Sequence, residues 1–243
     1  MISTNTPQNT LTNEVLLYTH GDVFKSLPGH YTMVEHFHPE FTANAMAGND
    51  ALTPFKQTMQ SMGVQIVQPM EFHGPGHPFN NETDRLAELS AMFDLFEAQS
   101  DNTFLLIPGE EYNNFFGGHW SYMFRRPVYF TAWPGQGSRP FRLTNAVVGG
   151  VTYPLVYQVG DADRMSQLLQ EEDGIAWTSH PRVKASRQMP DIAANTAFYQ
   201  DDSFLAGDWK AMPMDFSKDR LGFRSFQLMD DTAQWGYKKI YAR

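Results

Sequence analysis

The sequence Tyr31-Thr32-Met33-Val34-Glu35-His36-Phe37-His38-Pro39-Glu40 reads as a short apolar strand that ends in a His-x-His motif. In an extended strand, residues two positions apart point to the same side, so His36 and His38 can present two imidazoles to one point. A divalent cation binds such nitrogen ligands at about 2.0–2.1 Å. Two unrelated surface or core histidines would give the same pattern, so the rest of the chain has to decide.

The composition indicates one large folded domain, although two small domains would also fit a length of 243 residues. Hydrophobic residues make up 42% of the chain and aromatic residues 14%, which is enough to bury a substantial core. The net charge of -9 argues against nucleic acid or an anionic membrane as a partner. No apolar run approaches the ~20 residues of a membrane span, and the polar N-terminus does not resemble a signal peptide; the localisation stays open.

Cysteine is absent from the sequence, which excludes disulfides and thiolate metal sites. Any metal ion must then be bound by histidine and carboxylate side chains, as catalytic or exchangeable ions commonly are. Residues 1–29 are expected to form a loose N-terminal tail and lead-in, and residues 30–243 the domain. The chain stops without an obvious end signal after Arg243, so it could be a fragment of a longer protein.

Strand and helix patterns alternate along the chain. A helical face is predicted over residues 52–62, and Asn81 can cap a second helix. Residues 42–50 read as a loop, and residues 134–152 as an inserted loop or hairpin. Short apolar strands are predicted at 31–36, 64–70, 104–107, 128–133, 175–178 and 204–206. Such alternation is typical of a parallel sheet with right-handed crossovers.

Polar residues follow the predicted strands at their C-terminal ends. They are His36 and His38, then Glu71 and His73, then Glu110 and Glu111, and later His180 and Asp208. In parallel α/β folds these strand ends lie on one face of the sheet, where functional sites are built. Scattered histidines would not be expected at one position so consistently, so the sequence predicts a metal site at this edge.

The order of these motifs resembles the polymerase and histidinol phosphatase (PHP) superfamily, and within it the carbaryl-hydrolase-like metal-dependent hydrolases. The motifs are His36-Phe37-His38, Glu71-Phe72-His73, Pro108-Gly109-Glu110-Glu111, Gly118-His119 and His180-Pro181. The resemblance covers residues 30–210 and lies in the ordered set, since each motif alone is weak. It implies a distorted (β/α)7 barrel of mostly parallel strands, complete or incomplete, with two or three divalent ions such as zinc, manganese or iron.

Carried over by motif, the metal ligands implied by the resemblance are His36, His38, His73, Glu111, His119, His180 and Asp208. Glu111 is expected to bridge two ions. The family usually has Asp-His where this chain has Glu71-Phe72-His73, and Asp-x-His where it has Asp208-Trp209-Lys210. These departures leave the number of ions, and activity itself, open.

The predicted reaction is hydrolysis of a small phosphoester or related ester by metal-activated hydroxide. Glu71 or Asp208 could accept the proton if it is not fully used as a ligand. Arg182 and Lys210 lie just past predicted site strands and could bind an anionic substrate, although solvated surface cations are an equally good interpretation. The expected partner is a small-molecule ester, and nothing in the sequence indicates the oligomeric state.

Two other classes fit parts of the pattern. A cupin-type metal oxygenase could begin with a motif like residues 35–40, but it would leave Glu111, His180 and Asp208 unused and would lack the helical faces. A degenerate barrel that binds a metal or ligand without catalysis fits the departures from the family motifs.

Overall fold

The computed structural model of this chain is a mixed α/β fold. It describes residues 2–6, 9–13, 28–71, 81–113, 115–132, 138–182, 184–205, 207–208, 221–236 and 241–242. The helices are α1 (Phe41–Met46), α2 (Leu52–Ser61), α3 (Glu82–Gln99), α4 (Ala162–Glu171), α5 (Ala197–Gln200) and α6 (Leu221–Gln234). The strands are β1 (Ile2–Thr6), β2 (Asn9–Asn13), β3 (Met33–Glu35), β4 (Ile66–Gln68), β5 (Leu105–Leu106), β6 (Glu111–Asn113), β7 (His119–Met123), β8 (Phe130–Ala132), β9 (Arg142–Val148), β10 (Val151–Val159), β11 (Ile175–Thr178), β12 (Phe204–Leu205), β13 (Gly207–Asp208) and β14 (Tyr241–Ala242).

The first half of the domain is the predicted parallel β/α unit. Strands β3, β4 and β5 pair in parallel, with helices in each connection. Helix α3 begins where its cap residue predicts, because the Asn81 side chain accepts a hydrogen bond from the Asp84 N–H at 2.9 Å. Leu86, Leu89 and Met92 on α3 are buried in one core cluster with the strand residues.

The second half departs from the expected barrel. Strand β7 pairs antiparallel with both β6 and β11, and β9 and β10 form an antiparallel hairpin with its turn at Gly149-Gly150. The described residues form separate sheets and no closed barrel. The physical reason lies in the connections: residues 107–161 contain no helix in the described part, and parallel strands need a long crossover. The mostly parallel (β/α)7 barrel is therefore not confirmed.

Two local expectations are wrong. Residues 2–13, expected to be a loose tail, contain the antiparallel hairpin of β1 and β2. Residues 42–50, expected to be a loop, contain most of α1. The residue before α1, Glu40, makes no side-chain cap; instead the Glu71 carboxylate accepts the N–H groups of Phe41 and Thr42 at 3.2 and 2.8 Å. A cap supplied from 30 residues away leaves no local signal.

The aromatic residues mainly fill the core. Trp120 and Trp177 are each 1% exposed, so they pack inside the fold. Across the part of the chain that is described, no helix is long and apolar enough to cross a membrane.

A buried ion pair joins helix α3 to the residue before strand β6. The Arg85 Nη2 atom lies 2.6 Å from the Glu110 Oε1 atom, and both side chains are almost fully buried. Glu88, one turn along α3 from Arg85, is 3% exposed. Burial raises the pKa of Glu88 to about 7. The Arg85 charge lowers this pKa, whereas the nearby Glu110 and Glu71 carboxylates raise it further.

This buried carboxyl gives a testable pH dependence. Glu88 retains its proton in the folded protein at pH values where the unfolded chain has lost it. Its stabilising contribution is complete below the ordinary glutamate pKa of 4.5 and is lost as pH rises through about 7. We expect Glu88→Gln to match the original protein near pH 4.5 and to exceed it in free energy of unfolding by about 2–3 kcal/mol at pH 8.

The measurement is urea unfolding of both proteins at the two pH values, with a chelator present to exclude metal linkage. Glu97→Gln, which changes an exposed carboxylate on the same helix, is the matched control. An unfolding difference between E88Q and the original protein that is the same at both pH values would contradict the prediction.

Candidate metal centre

The His-x-His motif leaves strand β3 through a sharp backbone turn. The strand ends at Glu35, and His36 has a φ of 63°, in the left-handed region that few non-glycine residues adopt. The imidazoles of His36 and His38 nevertheless come together, with ring centroids 5.5 Å apart. The two rings lie close together as the motif predicts, but a backbone turn, and not an extended strand, brings them there.

Glu111, the first residue of β6, lies at the middle of the centre. Its Oε1 atom lies 2.8 Å from both His119 Nδ1 and His180 Nε2, and 3.6 Å from His36 Nε2. Its Oε2 atom lies 3.0 Å from His38 Nε2. The carboxylate is 2% exposed, so four imidazoles surround one buried acidic group.

The donor atoms around Glu111 have the spacing of ligands to a cation. The nitrogens of His119 and His180 lie 3.2 Å apart, and each lies 2.8 Å from the same Glu111 oxygen. Ligands bound to one metal at about 2.0–2.2 Å are separated by about 2.8–3.5 Å in tetrahedral or octahedral geometry. Glu111, His119 and His180 therefore form one set of donors that suits a single ion.

A second set consists of His36, His38 and Glu111. The protonation of His38 is fixed by a backbone contact, because its Nδ1 atom lies 2.9 Å from the Met70 carbonyl oxygen. A carbonyl only accepts hydrogen bonds, so Nδ1 carries the proton, and the nitrogen of His38 that faces the centre is Nε2, 3.0 Å from Glu111 Oε2. Because Glu111 offers one oxygen to His38 and the other to His119 and His180, it can serve both sets.

A third set consists of Glu35, His36 and Asp208. His36 Nδ1 and Asp208 Oδ2 lie 2.6 Å apart and are both buried, yet neither has a hydrogen-bond partner with acceptable geometry. Buried polar atoms are rarely left in this state, and a shared cation would satisfy both. A neutral imidazole coordinates through one nitrogen, so the second and third sets compete for His36.

The electrostatics favour an ionised centre. Burial alone would raise the pKa of Glu111, but hydrogen bonds from His119, His180 and His38 hold the pKa of this carboxyl well below its usual range. The carboxylate is therefore charged and available to a cation. The Asp208 side chain also accepts a hydrogen bond from the His180 backbone N–H, which ties β13 to the loop after β11.

A serine that sequence reasoning missed holds His119 in place. The Ser186 hydroxyl accepts a hydrogen bond from the His119 N–H at 3.0 Å and donates one to the His119 carbonyl at 3.1 Å. Glu35 was also missed as a candidate metal ligand, although an acidic residue directly before His-x-His was a visible signal. Nothing in the sequence marks Ser186, because it is 67 residues from its partner.

Of the other predicted site residues, two lie outside the described part of the chain and two are held in contacts away from the centre. His73 and Lys210 lie outside the described residues. The Glu71 carboxylate is committed to the first N–H groups of α1, although burial raises its pKa as a proton acceptor would require. The Arg182 guanidinium pairs with Asp191 and Asp231 at 2.7 and 2.6 Å, so its predicted anion-binding face is occupied by the chain's own carboxylates.

All of the predicted ligands within the described residues come together at this centre: His36, His38, Glu111, His119, His180 and Asp208. They come from both halves of the fold, on β6, β7 and β13 and on the segments after β3 and β11. Comparison with known proteins adds no relative, since no protein-family model matches the chain and no curated protein is significantly similar to it.

Proposed function

We propose that this chain is a metal-dependent hydrolase of a small phosphoester or a related ester. The observation that carries the proposal is the position of Glu111, whose two oxygens face two different sets of histidines. A carboxylate shared in this way is the arrangement expected of a centre with two adjacent ions. Such a centre suits hydrolysis, in which an attacking water and a leaving oxygen must both be stabilised.

The residues fit divalent ions on their own chemistry. Glu111, His119 and His180 would hold one ion, and His38 with His36 and Glu111 would hold the other. Zinc, manganese and iron all accept this mixture of imidazole and carboxylate, and the chain has no thiolate that would favour a softer metal. Ions bound there would supply a hydroxide near neutral pH and polarise the oxygen under attack.

The other groups of the centre have positioning roles in this proposal. If His36 coordinates through Nε2, its Nδ1 atom stays 2.6 Å from Asp208 Oδ2, so the Asp208 carboxylate lies beside the ring and raises its basicity. Asp208 is also the candidate proton acceptor of the centre, because its carboxylate lies directly against a ligand. Glu71 is not assigned this role, because its carboxylate accepts hydrogen bonds from α1. Arg182 is not assigned to substrate binding, because it forms ion pairs with Asp191 and Asp231.

Two alternatives predict different behaviour. A cupin-type oxygenase is disfavoured because β3, β4 and β5 form a parallel sheet with connecting helices, whereas cupins place their ligands on antiparallel strands. A binding protein without catalysis would keep the same donors and stay inactive. Its support is the commitment of Glu71 and Arg182 to structural contacts.

Activity assays decide between the hydrolase and the binding protein. We expect chelator-sensitive turnover of at least one member of a panel of chromogenic phosphomonoesters, phosphodiesters and carboxyl esters. The protein is assayed after loading with zinc, manganese or iron and again after chelation. His30→Ala changes an exposed histidine whose ring contacts the Pro28 carbonyl and not the centre, so this variant should behave as the original protein. Folded, metal-loaded protein that turns over no ester of the panel would support the binding protein.

A further inference from the structure

A second concavity lies at the opposite end of the strands from the metal centre. It has a volume of about 900 Å³ and lies between α3, β5 and the connection from β7 to β8. Strand β7 begins at His119 in the metal centre and ends at Met123 in the wall of this cavity. Strand β11 begins at Ile175 in the same wall and leads to His180. Along these two strands the cavity and the metal centre therefore lie at opposite ends.

The wall of the cavity is largely apolar. Its side chains include Phe93, Phe96, Leu106, Phe124 and Val128. Leu105 also lines it and is 43% exposed, although it belongs to a short strand in a parallel sheet, where such residues are usually covered on both faces. Protein sites for small molecules typically have a volume of roughly 300–1,000 Å³ and an apolar lining, as this cavity has.

The mouth of the cavity carries two arginines. Arg125 Nη1 lies 3.0 Å from Asp173 Oδ2, and both side chains are more than 70% exposed, at 80% and 72%. An exposed ion pair of this kind contributes little, so Arg125 can exchange Asp173 for a ligand anion at small cost. Arg126 pairs with the buried Glu172 carboxylate and is itself 61% exposed, so its charge is largely compensated by that partner.

The other acidic residues that line the cavity, Glu97 and Asp101, lie on or beside the C-terminal end of α3. Asp101 is already paired with Lys56 at 2.7 Å, at the end of the cavity formed by the C-terminal part of α3. Glu97 lies on that same helix end, whereas the arginines lie on the connection from β7 to β8. The cation that an anionic ligand can reach is therefore Arg125, because its partner Asp173 is exposed and held only by an exposed ion pair.

We propose that this cavity binds a small amphipathic anion, with an apolar body against the phenylalanines and its carboxylate or sulfonate at Arg125. Two fluorescent probes of matched shape test it: 1-anilinonaphthalene-8-sulfonate, which is anionic, and N-phenyl-1-naphthylamine, which is neutral. We expect saturable binding of the anionic probe at one per chain, with the neutral probe about fivefold weaker or more.

Three variants locate the binding. Leu105→Trp fills the cavity from an exposed position, and Arg125→Gln removes the exposed cation; each should raise the dissociation constant of the anionic probe by about fivefold to tenfold. Val147→Trp, at a 69% exposed apolar residue on the β9–β10 hairpin, is the control and should change nothing. Chelated protein should bind as well as metal-loaded protein, which separates this proposal from the hydrolase.

The proposal is overturned if probe binding is non-saturable, or if L105W and R125Q both bind the anionic probe as the original protein does. Equal affinity for the neutral probe, together with an unchanged R125Q, would overturn the assignment of an anionic ligand. Both variants change exposed side chains, and circular dichroism with urea unfolding will show that they fold.

Discussion

Glu111→Gln is expected to abolish binding of both metal ions while the chain stays folded. Glutamine keeps the shape of the side chain but removes the charge that four imidazoles surround. Its amide also presents N–H groups where a cation needs a lone pair, so both sets of donors lose their shared ligand. We expect metal content to fall from two ions per chain to none, with an affinity loss of more than about 10³-fold.

The measurement is metal analysis of the purified protein after dialysis against a fixed concentration of zinc or manganese. The neighbouring residue supplies a reciprocal control. Glu110→Gln leaves the buried Arg85 guanidinium without its counter-charge, which should cost about 3–5 kcal/mol of stability at unchanged metal stoichiometry in the folded fraction. If E111Q retains two ions, Glu111 is not the shared ligand and the binuclear proposal is wrong.

Replacing His36 and His38 together with alanine is expected to remove one ion and all ester turnover. Glu111, His119 and His180 remain as a set of three, so at most one ion per chain should be retained. Turnover should fall by at least about 10³-fold, because a single ion cannot stabilise both the attacking and the leaving oxygen. The fold should survive, since both side chains lie beyond the end of β3 and outside the core clusters.

His30→Ala is the control for this variant, because His30 is an exposed histidine in the loop before β3, with its Nδ1 atom 3.1 Å from the nearby Pro28 carbonyl oxygen. Metal analysis and the ester panel are measured on both proteins. Unchanged stoichiometry in the double variant would show that the His-x-His motif is not part of the centre. Loss of turnover with both ions retained would instead assign the two histidines to substrate contact.

The sequence predicted those elements whose signals are local. Helix α3 begins after Asn81, whose side chain accepts the N–H group of Asp84. Strand β11 was predicted over the residues where it lies, because an apolar run between a helix-ending glycine and a polar loop has few other interpretations. In each case the determining contact spans three or four residues, which is within reach of sequence patterns.

The candidate ligands were also predictable as a set. His36, His38, Glu111, His119, His180 and Asp208 were selected because they follow predicted strands or match an ordered series of motifs, and the structure gathers them. These residues lie close together although the predicted barrel was not confirmed. Strand ends on one side of a sheet meet at one edge, and β7, which runs antiparallel to β11, contributes His119 from its beginning instead of its end.

The sequence by itself thus limited the candidate metal ligands to histidines and carboxylates, since the chain has no cysteine, and it selected those that follow predicted strands or match the motifs. Tertiary structure alone decided which of these residues meet at one centre and which polar side chains are held in other contacts. The Glu71 carboxylate caps α1, Arg182 is held by Asp191 and Asp231, and Ser186 fixes His119, all through contacts between residues distant in sequence, apart from Arg182 and Asp191. A polar side chain can satisfy its hydrogen bonds with any suitable partner, and only the folded chain determines which partner lies within about 3 Å.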